Sequence, residues 1–303
     1  MHQQKRPLSI IIGLSVALLW STSWVLIKYG LKDIPALPFA GIRNSIATLC
    51  LLPFLFLQKR RTDRPLSRRL WLRLVALGLL LYAGTQGALF LALAYLPAIT
   101  VNLFWSFTTI VVALLGLILL HEQQTILQWV GIAISIVGAL LYFYPVVVQS
   151  NQLIGVGISA IGLLTNAGAA IVGRSINRSK EISPVVVTTI SMAIGSALLL
   201  PIGIWLQGFP VISSTGWLII IWLAVVNTAI AFTIWNYVLR VLSATEASMI
   251  NNTITVWIPV LAVLFLNETL TFRQIAALIL VGVGTLVVQI RRISRKKRVE
   301  AID

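Results

Sequence analysis

The stretch Leu120-His-Glu-Gln-Gln-Thr-Ile-Leu-Gln128 has a counterpart in Leu266-Asn-Glu-Thr-Leu-Thr-Phe-Arg-Gln274, 146 residues further along the chain. Glu122 matches Glu268, Thr125 matches Thr271 and Gln128 matches Gln274, and Gly138 falls on Gly284 at the same offset. Apolar segments match one another by composition alone. Polar identities crowded into so short a window are more specific, and they mark an internal repeat. At a nearly equal offset, 148, Pro53 falls on Pro201. The chain therefore reads as two copies of one unit.

What surrounds the repeated motif decides what that unit is. The 303 residues are 58% hydrophobic and only 10% charged, with a mean hydropathy of +0.97. Soluble domains carry about 45–50% apolar and about 25% charged residues, so a water-soluble globule is excluded. A helix needs about 20 apolar residues to cross a hydrocarbon core of about 30 Å. Ten stretches qualify: 8–28, 36–57, 71–94, 98–120, 126–147, 153–175, 184–206, 216–239, 244–266 and 272–290. Runs such as Ile110 to Leu120 are continuously apolar and lack the alternation of barrel strands, so the spans read as helices. The first span follows Lys5 and Arg6, but it is too long for a signal peptide and no small-residue cleavage site ends it.

Five spans per copy is an odd number, so the second copy enters the membrane upside down relative to the first. The expected fold is an all-α integral membrane protein of ten transmembrane helices in two inverted five-helix repeats. The repeats occupy 8–147 and 153–290, and a basic tail, 291–303, follows. Little chain remains for a separate soluble domain.

The formal charge is +15 and the pI is near 11.0. Such an excess often marks a nucleic-acid partner, but here it follows membrane topology, and none is expected. With the N-terminus in the cytoplasm, 19 of the 23 Lys and Arg residues fall on the cytoplasmic side. Lys28, Lys32 and Arg273 fall outside, and Arg43 lies within the second span. Both termini are therefore expected to be cytoplasmic, in a plasma or inner membrane. The basic segments Lys59 to Arg73 and Arg291 to Arg298 serve first as orientation signals and suit anionic lipid headgroups on that face. One cysteine, Cys50, and two histidines, His2 and His121, leave no basis for a disulfide or a zinc site, and no cofactor is expected.

Inverted repeats are the architecture of many secondary transporters, with the substrate site near the midplane between the repeats. The expected function is secondary transport of a small metabolite by alternating access. The alternative is a membrane scaffold or receptor that keeps the fold without flux. An enzyme is not expected: His121-Glu-Gln-Gln-Thr125 lacks the second histidine of a zinc protease, and no serine–histidine or paired-acid constellation is available. Nor is there a charged ring or carbonyl filter of the kind that ion channels use.

Polar side chains within the spans locate the candidate site. Asn102, Trp105, Ser106 and Thr109 recur at helical spacing on the fourth span. The ninth span carries Ser248, Asn251, Asn252 and Thr255 at the 146 offset. The same stripe thus occurs twice, as cavity lining or as hydrogen-bonding glue between helices. Other candidates are Trp20, Ser23 and Trp24 on the first span, Thr85 and Gln86 on the third, Thr165 and Asn166 on the sixth, and Asn227, Thr228, Trp235 and Asn236 on the eighth. Trp71, Trp129, Trp205 and Trp217 lie near span ends and read as interface anchors. Arg43 either binds a substrate carboxylate or gates the path; otherwise it pairs with helix-end carbonyls or snorkels to the interface. Glu122 and Glu268 are expected to cap the fifth and tenth helices at opposite membrane faces, with gating as the other possibility. Pro259 frees a carbonyl that bends the ninth helix or meets a ligand. Gly131, Gly138, Gly282 and Gly284 suit close helix approach.

These residues also carry a resemblance. Leu18-Leu-Trp-Ser-Thr-Ser-Trp24 with Lys28, and Gly41-Ile-Arg43 in the next span, resemble the opening helices of the EamA-type permeases of the drug/metabolite transporter superfamily. Pro259 with Asn267-Glu268-Thr269-Leu270 resembles the proline and glutamate signature closing that family's ninth helix, and His121-Glu122 is the matching element of the first half. The family's usual glycine before the glutamate is His121 or Asn267 here, and Ala113 stands where the repeat would place a second proline. The resemblance implies export or exchange of small metabolites, often amino acids, through a central path lined by both halves.

Overall fold

The computed structural model describes residues 5–59, 66–108, 110–112, 114–115, 125–144, 150–179, 181–232, 234–235, 238 and 250–299. No strand occurs among them. In chain order the helices are α1 (Pro7–Gly30), α2 (Ala36–Phe54), α3 (Arg68–Tyr95), α4 (Ala98–Val112), α5 (Ile126–Phe143), α6 (Gln152–Gly173), α7 (Pro184–Gln207), α8 (Ser214–Ile230), α9 (Ile250–Leu266) and α10 (Phe272–Val288). Six of these, α1, α2, α3, α5, α6 and α7, are long and apolar enough to cross a membrane, and the other four are shorter apolar helices. Each overlaps one of the apolar stretches in the sequence. Trp71, Trp129, Trp205 and Trp217 are all exposed, in keeping with rings at the edge of a bilayer.

The helix ends follow from local chemistry. Ser67, Ser183 and Ser213 each accept a backbone N–H of the first turn of α3, α7 and α8 through the side-chain hydroxyl. The repeated motif ends in two equivalent caps. Thr125 and Gln128 form a reciprocal capping box at α5. Thr271 and Gln274 form the same pair of bonds at α10, 2.9 Å and 3.3 Å. The threonine and glutamine identities that help reveal the repeat are thus helix-start signals.

The helices gather into two compact units, and each draws on both halves of the sequence. The first comprises Met1–Val25, Pro97–Leu153 and Tyr237–Asp303; the second comprises Leu26–Leu96 and Ile154–Asn236. In the first unit α5 and α10 pack closely and antiparallel. A Cβ on Gly131 would lie 2.7 Å from the Gly284 carbonyl oxygen, and one on Gly138 would lie 2.9 Å from that of Ala277. Adding 146 turns 131 into 277 and 138 into 284, so the two contacts exchange under a local twofold relation. Gly282 does not take part, since a Cβ there would meet nothing within 4 Å. Its expected packing role is withdrawn: it lies two residues from Gly284, off the helix face that meets α5.

In the second unit α2 lies against α7, backbone to backbone. A Cβ on Gly41 would lie 2.7 Å from Leu200 Cα, and one on Gly203 would lie 2.8 Å from the Leu37 carbonyl carbon. Lipid offers no hydrophobic drive for helix association, so such close approach, with the dispersion it permits, holds the pair together. α7 also packs on α3, where a Cβ on Gly78 would be 2.6 Å from the Ser191 carbonyl oxygen. Tyr82, Met192, Ala47, Leu51, Ala224 and Ala229 form the apolar cluster that joins α2, α3, α7 and α8.

Candidate functional site

The polar side chains singled out by the sequence fall into two groups, one in each compact unit. In the first unit they sit on α1, α4 and α9. Ser23 donates to the Trp20 carbonyl at 2.5 Å, and Trp24 packs edge-on against Trp105 with ring centroids 6.1 Å apart. Both α4 and α9 break within their polar stripes, at positions 146 residues apart. The Phe107 and Ile110 amides reach back three residues, to the Phe104 and Phe107 carbonyls, at 3.2 and 2.9 Å. The Thr253 and Val256 amides do the same to Ile250 and Thr253, at 3.1 and 2.9 Å. A tightened turn in mid-helix marks a hinge or a strained segment, and here the fold contains it twice. A nearby hydroxyl bonds to its own turn in each: Ser106 donates to the Leu103 carbonyl and Thr253 to that of Ile250, both at 2.6 Å.

Pro259 lies six residues beyond the second break and is buried. Having no N–H, it leaves the Thr255 carbonyl, four residues earlier, without its helical donor. Asn102 Nδ2 supplies the missing donor at 3.1 Å. The freed carbonyl therefore meets a side chain of α4, and one N–H of Asn102 is committed to joining α4 to α9. Asn252 is half-buried and reaches Thr285 Oγ1 at 3.5 Å, while Asn251 is exposed. Thr109, Ser248 and Asn236 lie outside the described residues.

In the second unit the centre is Arg43, only 5% exposed. Its Nε and Nη2 both donate to Thr228 Oγ1, at 3.1 and 2.9 Å, and Nη1 donates to Gln86 Oε1 at 3.4 Å. The Phe90 ring lies 5.6 Å from the guanidinium carbon. Arg43 thus neither snorkels nor pairs with helix-end carbonyls; its partners are the side chains of α3 and α8. An arginine at the centre of a span costs about 2.5–3.5 kcal/mol on the insertion scale. Its three hydrogen bonds are charge-assisted and offset that cost, but their acceptors are neutral, so none of them supplies a counter-charge.

Both partner helices are wound wider at this level. Gly78–Thr85 in α3 and Val225–Ile230 in α8 form π-helical segments. The extra residue in such a turn frees a carbonyl, and in each a threonine hydroxyl reaches back five residues to satisfy one. Thr85 Oγ1 bonds the Leu80 carbonyl at 2.8 Å and Thr228 Oγ1 bonds that of Leu223 at 2.9 Å. Each threonine then meets a neighbouring helix: Thr228 meets Arg43 on α2, and Thr85 lies 3.2 Å from Thr165 Oγ1 on α6. Short π segments inside α-helices concentrate at functional sites. Asn227 is fully buried beside Thr228, and Asn166 and Trp235 are half-buried. Sequence reasoning missed Asn44, which is buried and donates to the Tyr82 carbonyl at 3.4 Å. Its amide within an apolar span, next to Arg43, was the available signal.

Glu268 does not cap α10, where Thr271 and Gln274 already fill that role. Its carboxylate instead accepts the Ala98 and Ile99 amides, at 2.6 and 3.0 Å, so it closes the start of α4. The positive end of that helix dipole suits the negative charge. The preceding residue explains the reach. Asn267 adopts the left-handed conformation at φ 54 that ends α9, and the Glu268 amide turns back to the Ala262 carbonyl. Asn267 thus takes the conformation that a glycine would adopt most easily. Glu122 lies outside the described residues. Among the described residues no cluster of His, Cys, Asp and Glu forms that could hold a metal ion.

Known proteins are similar in sequence, and one of known structure is similar in fold. The chain is 24% identical over 287 residues to the "Uncharacterized transporter YoaV" of Bacillus subtilis, spanning 91% of this chain and 94% of that protein. It is 26% identical over 290 residues to the "Probable amino-acid metabolite efflux pump" of Salmonella typhimurium, with 90% and 92% covered. A protein of known crystal structure superposes with a TM-score of 0.65 at 17% identity, covering 93% of this chain and 98% of the other, which shows a common fold. The model of the EamA-like transporter family matches twice, at residues 7–144 and 153–290, and with nearly the whole chain accounted for by two copies of it, the protein belongs to that family of membrane transporters.

Proposed function

We propose that the protein is a secondary transporter that moves a small metabolite, an amino acid or a related compound, by alternating access, as an exporter or exchanger. The observation that carries this reading is the helix break repeated in α4 and α9, with the same backbone hydrogen bonds 146 residues apart. Discontinuous helices bearing polar groups are where secondary transporters bind substrate and flex. Asn102, Trp105 and Ser106 beside one break, and Asn251, Asn252 and Thr255 beside the other, are the groups we assign to substrate contact there. In the same reading the two family matches are inverted five-helix repeats spanning the membrane ten times. The bias of 19 of 23 cationic residues toward one side supports cytoplasmic termini in a plasma or inner membrane. The amino-acid assignment draws on the printed name of the Salmonella relative.

The test is flux through the purified chain in proteoliposomes, preloaded and challenged with amino acids, nucleosides, sugars and amines. Saturable counterflow of one chemical class is expected. Asn251→Ala and Asn252→Ala should each weaken the apparent affinity about two- to tenfold, as for loss of a neutral hydrogen bond. Folded protein that moves none of these compounds would leave the scaffold function as the better account.

A further inference from the structure

We infer that Arg43 is the receptor for a single carboxylate on the transported molecule, an assignment that rests on the transport function proposed above. Among the described buried side chains Arg43 is the one that carries a charge. The described acids do not serve it: Asp33 and Glu181 are exposed, and Glu268 is engaged with the start of α4. A buried cation inside a membrane-spanning segment is held for a partner, since burial without one is strongly unfavourable.

The hydrogen bonds show which N–H groups of the guanidinium are already engaged. Five N–H groups radiate from it in one plane. Thr228 Oγ1 takes the Nε side, using Nε and one N–H of Nη2, and Gln86 takes one N–H of Nη1. Each Nη carries one N–H beyond those bonds, and the terminal fork between them fits the two oxygens of a carboxylate once Gln86 yields Nη1. Thr228 is itself fixed by its bond to the Leu223 carbonyl, so the fork is held in place before any ligand arrives. The Gln86 bond, at 3.4 Å, is the longest of the three and the one a carboxylate oxygen displaces. The Phe90 ring, 5.6 Å from the guanidinium carbon, adds a cation–π contact but no hydrogen-bond acceptor. One cation balances one negative charge, which favours a monocarboxylate, or the carboxylate of a zwitterion, over a phosphate dianion.

The experiment uses the full chain in proteoliposomes with each of the standard L-amino acids and its own α-carboxamide, and short monocarboxylates alongside. The acid should be carried with an apparent KM at least about tenfold below that of the amide, as for a hydrogen bond to a charged group. Arg43→Gln should bring the acid-to-amide KM ratio close to one. Gln86→Glu is the second variant: it places a carboxylate at the fork from within and keeps the cation paired, so flux of the acid should fall relative to that of the amide. An acid-to-amide ratio unaltered in folded Arg43→Gln or Gln86→Glu protein would overturn the assignment. So would flux confined to uncharged or cationic solutes, which leaves transport itself standing. No flux of any compound would remove the transport function and this site with it.

Discussion

Glu268 shows how one residue can join distant parts of the chain. Two amides at the start of α4 share its carboxylate, 170 and 169 residues away in sequence. Replacing it with alanine leaves both donors to find other partners and removes a favourable charge from the positive end of the helix. Glu268→Ala should cost about 1–2 kcal/mol of stability, with Glu268→Gln between it and the native protein. Thermal unfolding in detergent measures this, and a midpoint unaltered in both variants would refute the capping role. The sequence marked Glu268 through its match to Glu122, but assigned it to the helix that follows it. That error has a physical origin. Caps are ordinarily local, and nothing in a linear reading shows that the left-handed Asn267 turns the chain so that the next side chain meets another helix.

At the scale of the element, helix breaks organise the polar groups. Proline in α9 removes a donor, and an amide on α4 replaces it, so Asn102 and Pro259 are thermodynamically linked. Asn102→Ala in the native background leaves the Thr255 carbonyl unpaired. In a Pro259→Ala background the helix regains its own N–H, so the same substitution should cost less. A double-mutant cycle on unfolding free energy should return a coupling of about 1 kcal/mol between the two sites, and a coupling near zero would remove the link. The stripe on α4 and α9 was legible from helical spacing and from the repeat, because both survive as patterns of residue type. The π-helical segments were not. Thr85 and Thr228, which play the same part in α3 and α8, stand 143 residues apart, three short of the offset that aligns α4 with α9. A search at one fixed offset passes over them, and an extra residue in a turn leaves the apolar character of a helix unaltered.

Over the whole molecule, composition established the membrane character at once, because a bilayer demands long apolar helices whatever the protein does. The grouping of those helices was less accessible. α5 packs with α10 and α2 with α7, each helix meeting one from the other half, and no pattern within a single apolar helix names its partner. Orientation is an intermediate case, since the distribution of lysine and arginine among the loops sets only an expectation of it. The lone Cys50 makes that expectation testable, because Cys50→Ala yields a chain without thiols. Into it single cysteines are placed at Asp33, Phe209 and Thr269, on the expected outer side, and at Ser67, Glu181 and Ala301, on the inner side. A membrane-impermeant maleimide applied to intact cells should label the first three and reach the others only after permeabilisation. The sharpest pair is Glu181 and Phe209, which flank α7. If both label from the same side, α7 does not cross the membrane, and the second repeat loses the odd number of spans on which its inversion depends.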